Sequence, residues 1–268
     1  MSAPVSPKPE RPYWLLALIA AALVLFGLVL ADDVYSQALG TLSKGIGITL
    51  FVTVVAFALA SGLGLLLALA GLSRHILPRQ LARLYIELVR GVPIIVLLLY
   101  VAFVIAPASV IFWNWVTGAL GLTPIRARDF PFVWRAIIAL CVAYSAFLAE
   151  VFRAGILSVD PGQIEASKAL GLNGYRRFRH VVFPQAFRTI LPSYANDFVA
   201  MVKDSSLVSV LGVADVTQLG KVTAAGNFRY FETYNLVALI YLTMTISLSL
   251  GLRKLEARLR ARQSLTGE

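Results

Sequence analysis

Several stretches of this chain run without a charged side chain for long enough to cross a bilayer. Tyr13 to Ala31 is uncharged for 19 residues, Gly45 to Ser73 for 29 and Thr233 to Leu252 for 20. A helix rising 1.5 Å per residue needs about 20 apolar residues to cross a hydrocarbon core about 30 Å thick. Lipid supplies no partner for backbone N–H and C=O groups, so such runs are expected as helices. Of all residues, 59 % are apolar, against about 45–50 % in soluble domains. The expected class is therefore an all-α integral membrane protein.

The remaining sequence supplies three further spans, for about six in all. Gly91 to Ile125 is too long for one straight helix. Pro107 is expected to end its span near Ala106, leaving Ile111-Phe-Trp-Asn-Trp115 at the headgroup level that tryptophan prefers. Phe132 to about Phe152 is the next span, with Arg135 and Glu150 near its ends. Ser193 to Ala214 is the least apolar, because it holds Asp197, Lys203 and Asp204. The expected spans are thus 13–31, 45–73, 91–106, 132–152, 193–214 and 233–252. Residues 1–12, with four prolines, and 259–268 are expected as tails. For 13–31 a cleaved signal peptide competes with a retained helix, since a basic tail precedes it and Val29-Leu30-Ala31 precedes Asp32. Gly62 and Gly64 would let a neighbouring helix approach the second span closely.

The formal net charge is +10. Such a charge can point to nucleic acid, but the basic residues flank the apolar runs. With six spans, the two tails, residues 74–90 and residues 153–192 share one side and hold 17 of the 24 Lys and Arg; the opposite loops hold 6. Cytoplasmic loops carry this excess, so both termini and the long polar break are expected in the cytoplasm, with no nucleic-acid partner. Cys141 is the only cysteine, and His75 and His180 stand far apart. No metal site is expected.

The long polar break runs from Ser158 to Pro192. Asp160 can cap a helix with Pro161 in its first turn, and Gln163 stands where a capping box would place it. Gly171 stands where a left-handed residue ends a helix. The result is a capped helix of about ten residues, too short to be stable alone in water. Asn173 can cap a second short helix, expected to end at Pro184, with Pro192 opening the next span. A solvated basic loop accounts for Arg176, Arg177 and Arg179. It does not account for capping at both ends, nor for the small face around Glu165, Ala166 and Ala169.

Glu165-Ala166-Ser167, then Gly171 after three residues, then Val181-Val-Phe-Pro184 after nine, resembles the "EAA" motif of ABC importer permeases. The family pattern is Glu-Ala-Ala, Gly and Ile-x-Leu-Pro at the same spacing. Ser167, Val181 and Phe183 are departures that keep the size class. Tyr85 to Pro93 (YIELVRGVP), Tyr144 to Gly155 (YSAFLAEVFRAG), Phe183 to Arg188, Lys203 to Leu207 and Phe231 to Tyr234 are similar to the branch that takes up polar amino acids. The resemblance covers about 41–258 and implies a type I ABC importer permease fold. It further implies a bacterial cytoplasmic (inner) membrane protein working with nucleotide-binding ATPase subunits, a second permease subunit (the same or a homologous chain) and an extracytoplasmic solute-binding protein. In that family, Glu165, Ala166, Ser167, Gly171 and Pro184 would belong to the segment that couples to the ATPase.

The chain holds no Gly-x-x-x-x-Gly-Lys-Ser/Thr stretch, so ATP would be used by a partner, and this chain is expected to bind no cofactor and to be no enzyme. Ionisable residues within spans are functional pointers. Lys203, Asp204 and Glu150, with Tyr144 and Ser145, are the candidates for a substrate path. The competing reading is that these ionisable groups pair with one another and hold the bundle together. A secondary transporter driven by an ion gradient is the alternative function, although no internal repeat is evident. An intramembrane enzyme would need a nucleophile–base pair or a metal, and the spans contain no histidine. Which amino acid is carried stays open.

Overall fold

The computed structural model describes residues 32–118 and 120–264, with side chains through 258, and the isolated positions 13, 20, 24 and 27. The expected first span and the N-terminal tail lie outside this range, as does the choice between a retained and a cleaved segment. Among the described residues the fold is all-helical. Four helices are long and apolar enough to cross a membrane: Asp33–Gly71 (α1), Ile94–Gly118 (α3), Phe132–Leu157 (α4) and Tyr230–Arg258, the described apolar part of α9, Tyr230–Ser264. Between them lie Ile76–Arg90 (α2), Pro161–Ala169 (α5), Gly174–Arg177 (α6), Phe183–Asp204 (α7) and Val216–Asn227 (α8).

α4 is the axis of the packing. Ala136, Ile137, Ala139, Leu140, Ala143, Leu148 and Ala149 are all buried on it. Ala149 packs with Ile86 of α2; the others meet Val52, Ala56, Phe57 and Ala60 of α1, Leu97, Leu98, Val101 and Ala102 of α3, and Met201 of α7. Alanines on α4 let these backbones come close, as small residues do in membrane bundles. At Gly64 α1 comes close to α4: a Cβ there would lie 3.0 Å from the Ser145 carbonyl oxygen and 3.0 Å from Leu148 Cβ. Gly62 faces open space, so only one of the two expected glycines makes a close approach. A second cluster joins Tyr35, Ala38 and Leu42 of α1 to Val216 of α8 and to Leu236, Val237 and Ile240 of α9.

Two prolines do not end helices where the sequence suggested. The helix that begins at Ile94 runs through Pro107 to Gly118. Ile111 to Trp115 is therefore part of α3, with Trp113 and Trp115 exposed on it. The five residues Val101–Ile105 just before the proline form a π-helical turn. Widening the turn takes the ring off the carbonyl four residues back. Proline has no N–H to give the carbonyl five residues back, that of Ala102, and Arg135 Nη1 takes that place at 3.0 Å. The same arrangement recurs at Pro184. Phe178–Val182 is π-helical, and the chain stays helical from Gly174 to Asp204 with Pro184 in the first turn of α7. Pro192 lies inside α7 and opens nothing.

Helix bounds also exceed the expected spans. α1 begins twelve residues before Gly45, capped by Asp32, which accepts from the Val34 N–H at 2.8 Å. Its 39 residues give a length of about 58 Å. α9 continues through Arg253 into the stretch expected as a tail, to Ser264. Ser205–Leu211 departs from the expected span 193–214: it is a 3-10 segment closed by Gly212.

Candidate functional site

The short helix α5 is built as its sequence suggests, with one difference. Asp160 accepts from the Gly162 N–H at 2.6 Å, and Pro161 fills the first position. No capping box forms; Gln163 instead lines a cleft of about 440 Å³ with His180, Pro184, Gln185 and Arg188. At the other end Gly171 has φ +73°. Its N–H donates to Lys168 O at 2.9 Å, and the Leu172 N–H donates to Ser167 O at 3.1 Å. That pair of bonds is a Schellman closure. Asn173 then caps α6, accepting from the Arg176 N–H at 2.9 Å.

α5 has one occupied face and one free face. Ile164 packs on the buried cluster of Val159, Val182 and Ala186. Ser167 is 2 % exposed and donates to Ile164 O at 2.6 Å. Glu165, Ala166, Ala169 and Leu170 face outward, and Leu170 is 80 % exposed. Intramolecular packing thus steadies a helix that would be marginal alone and leaves the glutamate and small residues bare. The Ser158 hydroxyl donates to Gly155 O at 2.8 Å and lies 3.2 Å from Thr189 Oγ1, tying the segment to α4 and α7.

The candidate path residues are not gathered in one place. Tyr144 is buried on α4 and donates its phenol to Asp204 Oδ2 at 2.7 Å, joining α4 to the end of α7. Ser145 points the other way; its hydroxyl donates to Val142 O at 2.8 Å and lies 2.9 Å from Tyr85 Oη of α2. Burial pushes the Tyr85 phenol above its ordinary value, and the Ser145 contact opposes this. Glu150 is engaged on its own helix by Arg153, at 3.1 Å and 2.5 Å. Lys203 is exposed and forms no ion pair among the described residues. The suggested pairing of these ionisable groups with one another is therefore not what holds the bundle: Asp204 is held by a phenol and Glu150 by an arginine.

Other polar contacts were not anticipated. Asp215 is fully buried, caps α8 by accepting from the Gln218 N–H at 2.8 Å, and accepts from Tyr241 Oη at 3.1 Å. The Val216 N–H donates to Thr49 Oγ1 of α1 at 3.3 Å. This knot is possible because position 45 is glycine: a Cβ there would lie 2.6 Å from Val216 N. A lone aspartate before a helical stretch was the available signal. Asp197 Oδ2 is buried on α7 without a hydrogen-bond partner among the described residues. Arg135, 6 % exposed, donates to the carbonyls of Phe130 at 3.0 Å, Ala102 at 3.0 Å and Ala127, and lies over the Phe132 ring at 4.7 Å. Among the described residues no cluster of metal-ligating side chains occurs.

Residues 60–261 match the family described as binding-protein-dependent transport system inner membrane component. The chain is 36 % identical over 214 residues to the "Probable amino-acid permease protein YxeN" of Bacillus subtilis (strain 168), covering 80 % of this chain and 89 % of that protein. It is 33 % identical over 223 residues to the glutamine transport system permease protein GlnP of Escherichia coli (strain K12), covering 83 % and 94 %. A crystal structure of an amino acid ABC transporter with histidines superposes with a TM-score of 0.68 at 34 % identity, covering 82 % of this chain and 94 % of that one.

Proposed function

The chain belongs to the binding-protein-dependent transport system inner membrane components, and on that premise we propose that it is the membrane-spanning subunit of an ATP-driven importer of polar amino acids in a bacterial cytoplasmic membrane. Relatives named as amino-acid and glutamine permeases support the substrate class. Its partners are separate ATPase subunits, a second permease subunit and an extracytoplasmic binding protein. Glu165, Ala166, Ser167, Gly171 and Pro184 form the coupling element, and Tyr144, Asp204, Lys203, Glu150 and Ser145 stand as candidates along the path. Nothing supports transport driven by an ion gradient.

The observation that carries this reading is the two-faced helix α5. It is rigidly closed at both ends, anchored through Ile164 to the cluster of Val159, Val182 and Ala186, and bare along Glu165, Ala166 and Ala169. A push on the bare face would pass through the cluster of Val159, Val182 and Ala186 to α7, and through Ile156 packed on that cluster to α4. Closure of the ATPase subunits on ATP would thereby tilt the bundle between inward-open and outward-open arrangements. Cysteine crosslinking tests it. With Cys141→Ser as background, cysteines at Ala166 and Ala169 should crosslink to the ATPase subunit, and a cysteine at buried Ser167 should not. Failure of both exposed positions would remove α5 as the docking element.

A further inference from the structure

We propose that the cleft between α2 and the ends of α1 and α4 holds the phosphate headgroup of an anionic phospholipid, on the side that the charge bias assigns to the cytoplasm. The cleft measures about 480 Å³, and Arg79, Arg83, Glu87, Arg90, Glu150 and Arg153 line it. Glu150 neutralises Arg153. That leaves Arg79, Arg83 and Arg90 against Glu87 alone, and none of these three arginines forms an ion pair among the described residues. Arg90 is positioned by the ring of Phe147, 5.7 Å from its guanidinium carbon.

The rest of α2 names the occupant. Leu77, Leu81, Leu84 and Leu88 recur at helical spacing and are 68 %, 57 %, 56 % and 61 % exposed. They lie on the side of the helix opposite the stripe of Arg79, Arg83 and Arg90, as the 3.6-residue repeat requires. An apolar stripe of this kind lies in the acyl boundary, with its basic side at headgroup level. The helix is not itself a candidate span, so it lies at the membrane edge. The leucines set the depth of α2, so the arginine cleft on its other side stands at the level of the lipid phosphates, where a headgroup reaches it directly. Basic pockets beside spans on the cytoplasmic side recognise anionic headgroups by this chemistry. Arginine also presents the fork of donors that phosphate oxygens fit.

Importer complexes, this chain with its ATPase subunits, are reconstituted in nanodiscs of phosphatidylethanolamine and phosphatidylglycerol, extracted, and weighed by native mass spectrometry. The wild-type complex should retain phosphatidylglycerol. Arg79→Gln and Arg83→Gln should each weaken retention about fivefold, while the double Lys variant retains the lipid and Arg74→Gln, outside the cleft, changes nothing. Equal retention by Arg79→Gln/Arg83→Gln overturns the proposal. So does displacement of the lipid by inorganic phosphate at constant ionic strength, which marks a free-anion site. Loss of the ATPase subunit from the Gln variants also overturns it, because the cleft would then bind protein. Lipid retention is read without transport, so it stands or falls separately from the transport assignment.

Discussion

At Gly171 conformation and contact can be separated. Its φ of +73° opposes any side chain, yet a Cβ would meet nothing within 4 Å. Gly171→Ala should cost about 1 kcal/mol through the backbone alone. Gly171→Trp should cost the chain little more, because the space is open, but it should release the ATPase subunit on copurification. Equal copurification of both variants would place the ATPase elsewhere. Tyr144 offers the opposite case, a buried contact with no free face. Tyr144→Phe removes a hydrogen bond to a carboxylate, worth about 1.5–3 kcal/mol, and should lower thermal stability accordingly. Lys203→Met breaks no side-chain hydrogen bond or ion pair among the described residues and should leave stability unchanged. A loss of uptake in Lys203→Met would then come from the path itself.

The helices explain what the sequence did and did not disclose. The caps of α5 were legible because capping is local: Asp160, Pro161 and Gly171 act within one turn of themselves. The helical course through Pro107 and Pro184 was not, because it depends on widened turns and, at Pro107, on a partner 33 residues away, Arg135. Arg135→Met would leave the carbonyls of Phe130, Ala102 and Ala127 without that donor. At about 1–3 kcal/mol for each buried group left unpaired, it should destabilise far more than Pro107→Ala, which restores an N–H; thermal unfolding in detergent decides. The α1–α4 contact gives a second comparison. Gly64→Leu should cost about 1–3 kcal/mol by overpacking, while Gly62→Leu, facing open space, should be neutral in the same assay.

For the whole molecule, the all-helical membrane class was legible in the apolar runs, a sum that tolerates local error. The spacing of Glu165, Gly171 and Pro184 pointed to the family. The candidate path was the least legible part. Tyr144 and Asp204 meet across 60 residues, Ser145 turns to Tyr85, and the buried knot of Asp215, Tyr241 and Thr49 spans three helices. None of these pairings leaves a periodic trace in the chain. The account as a whole rests on energy entering through α5 from a separate ATPase. Its most direct test is uptake of a labelled polar amino acid into proteoliposomes holding this chain, its ATPase subunits and the binding protein. Uptake should require ATP at the face carrying the ATPase and should persist when ionophores collapse every ion gradient. Uptake that continues without ATP and stops with the ionophores would contradict it.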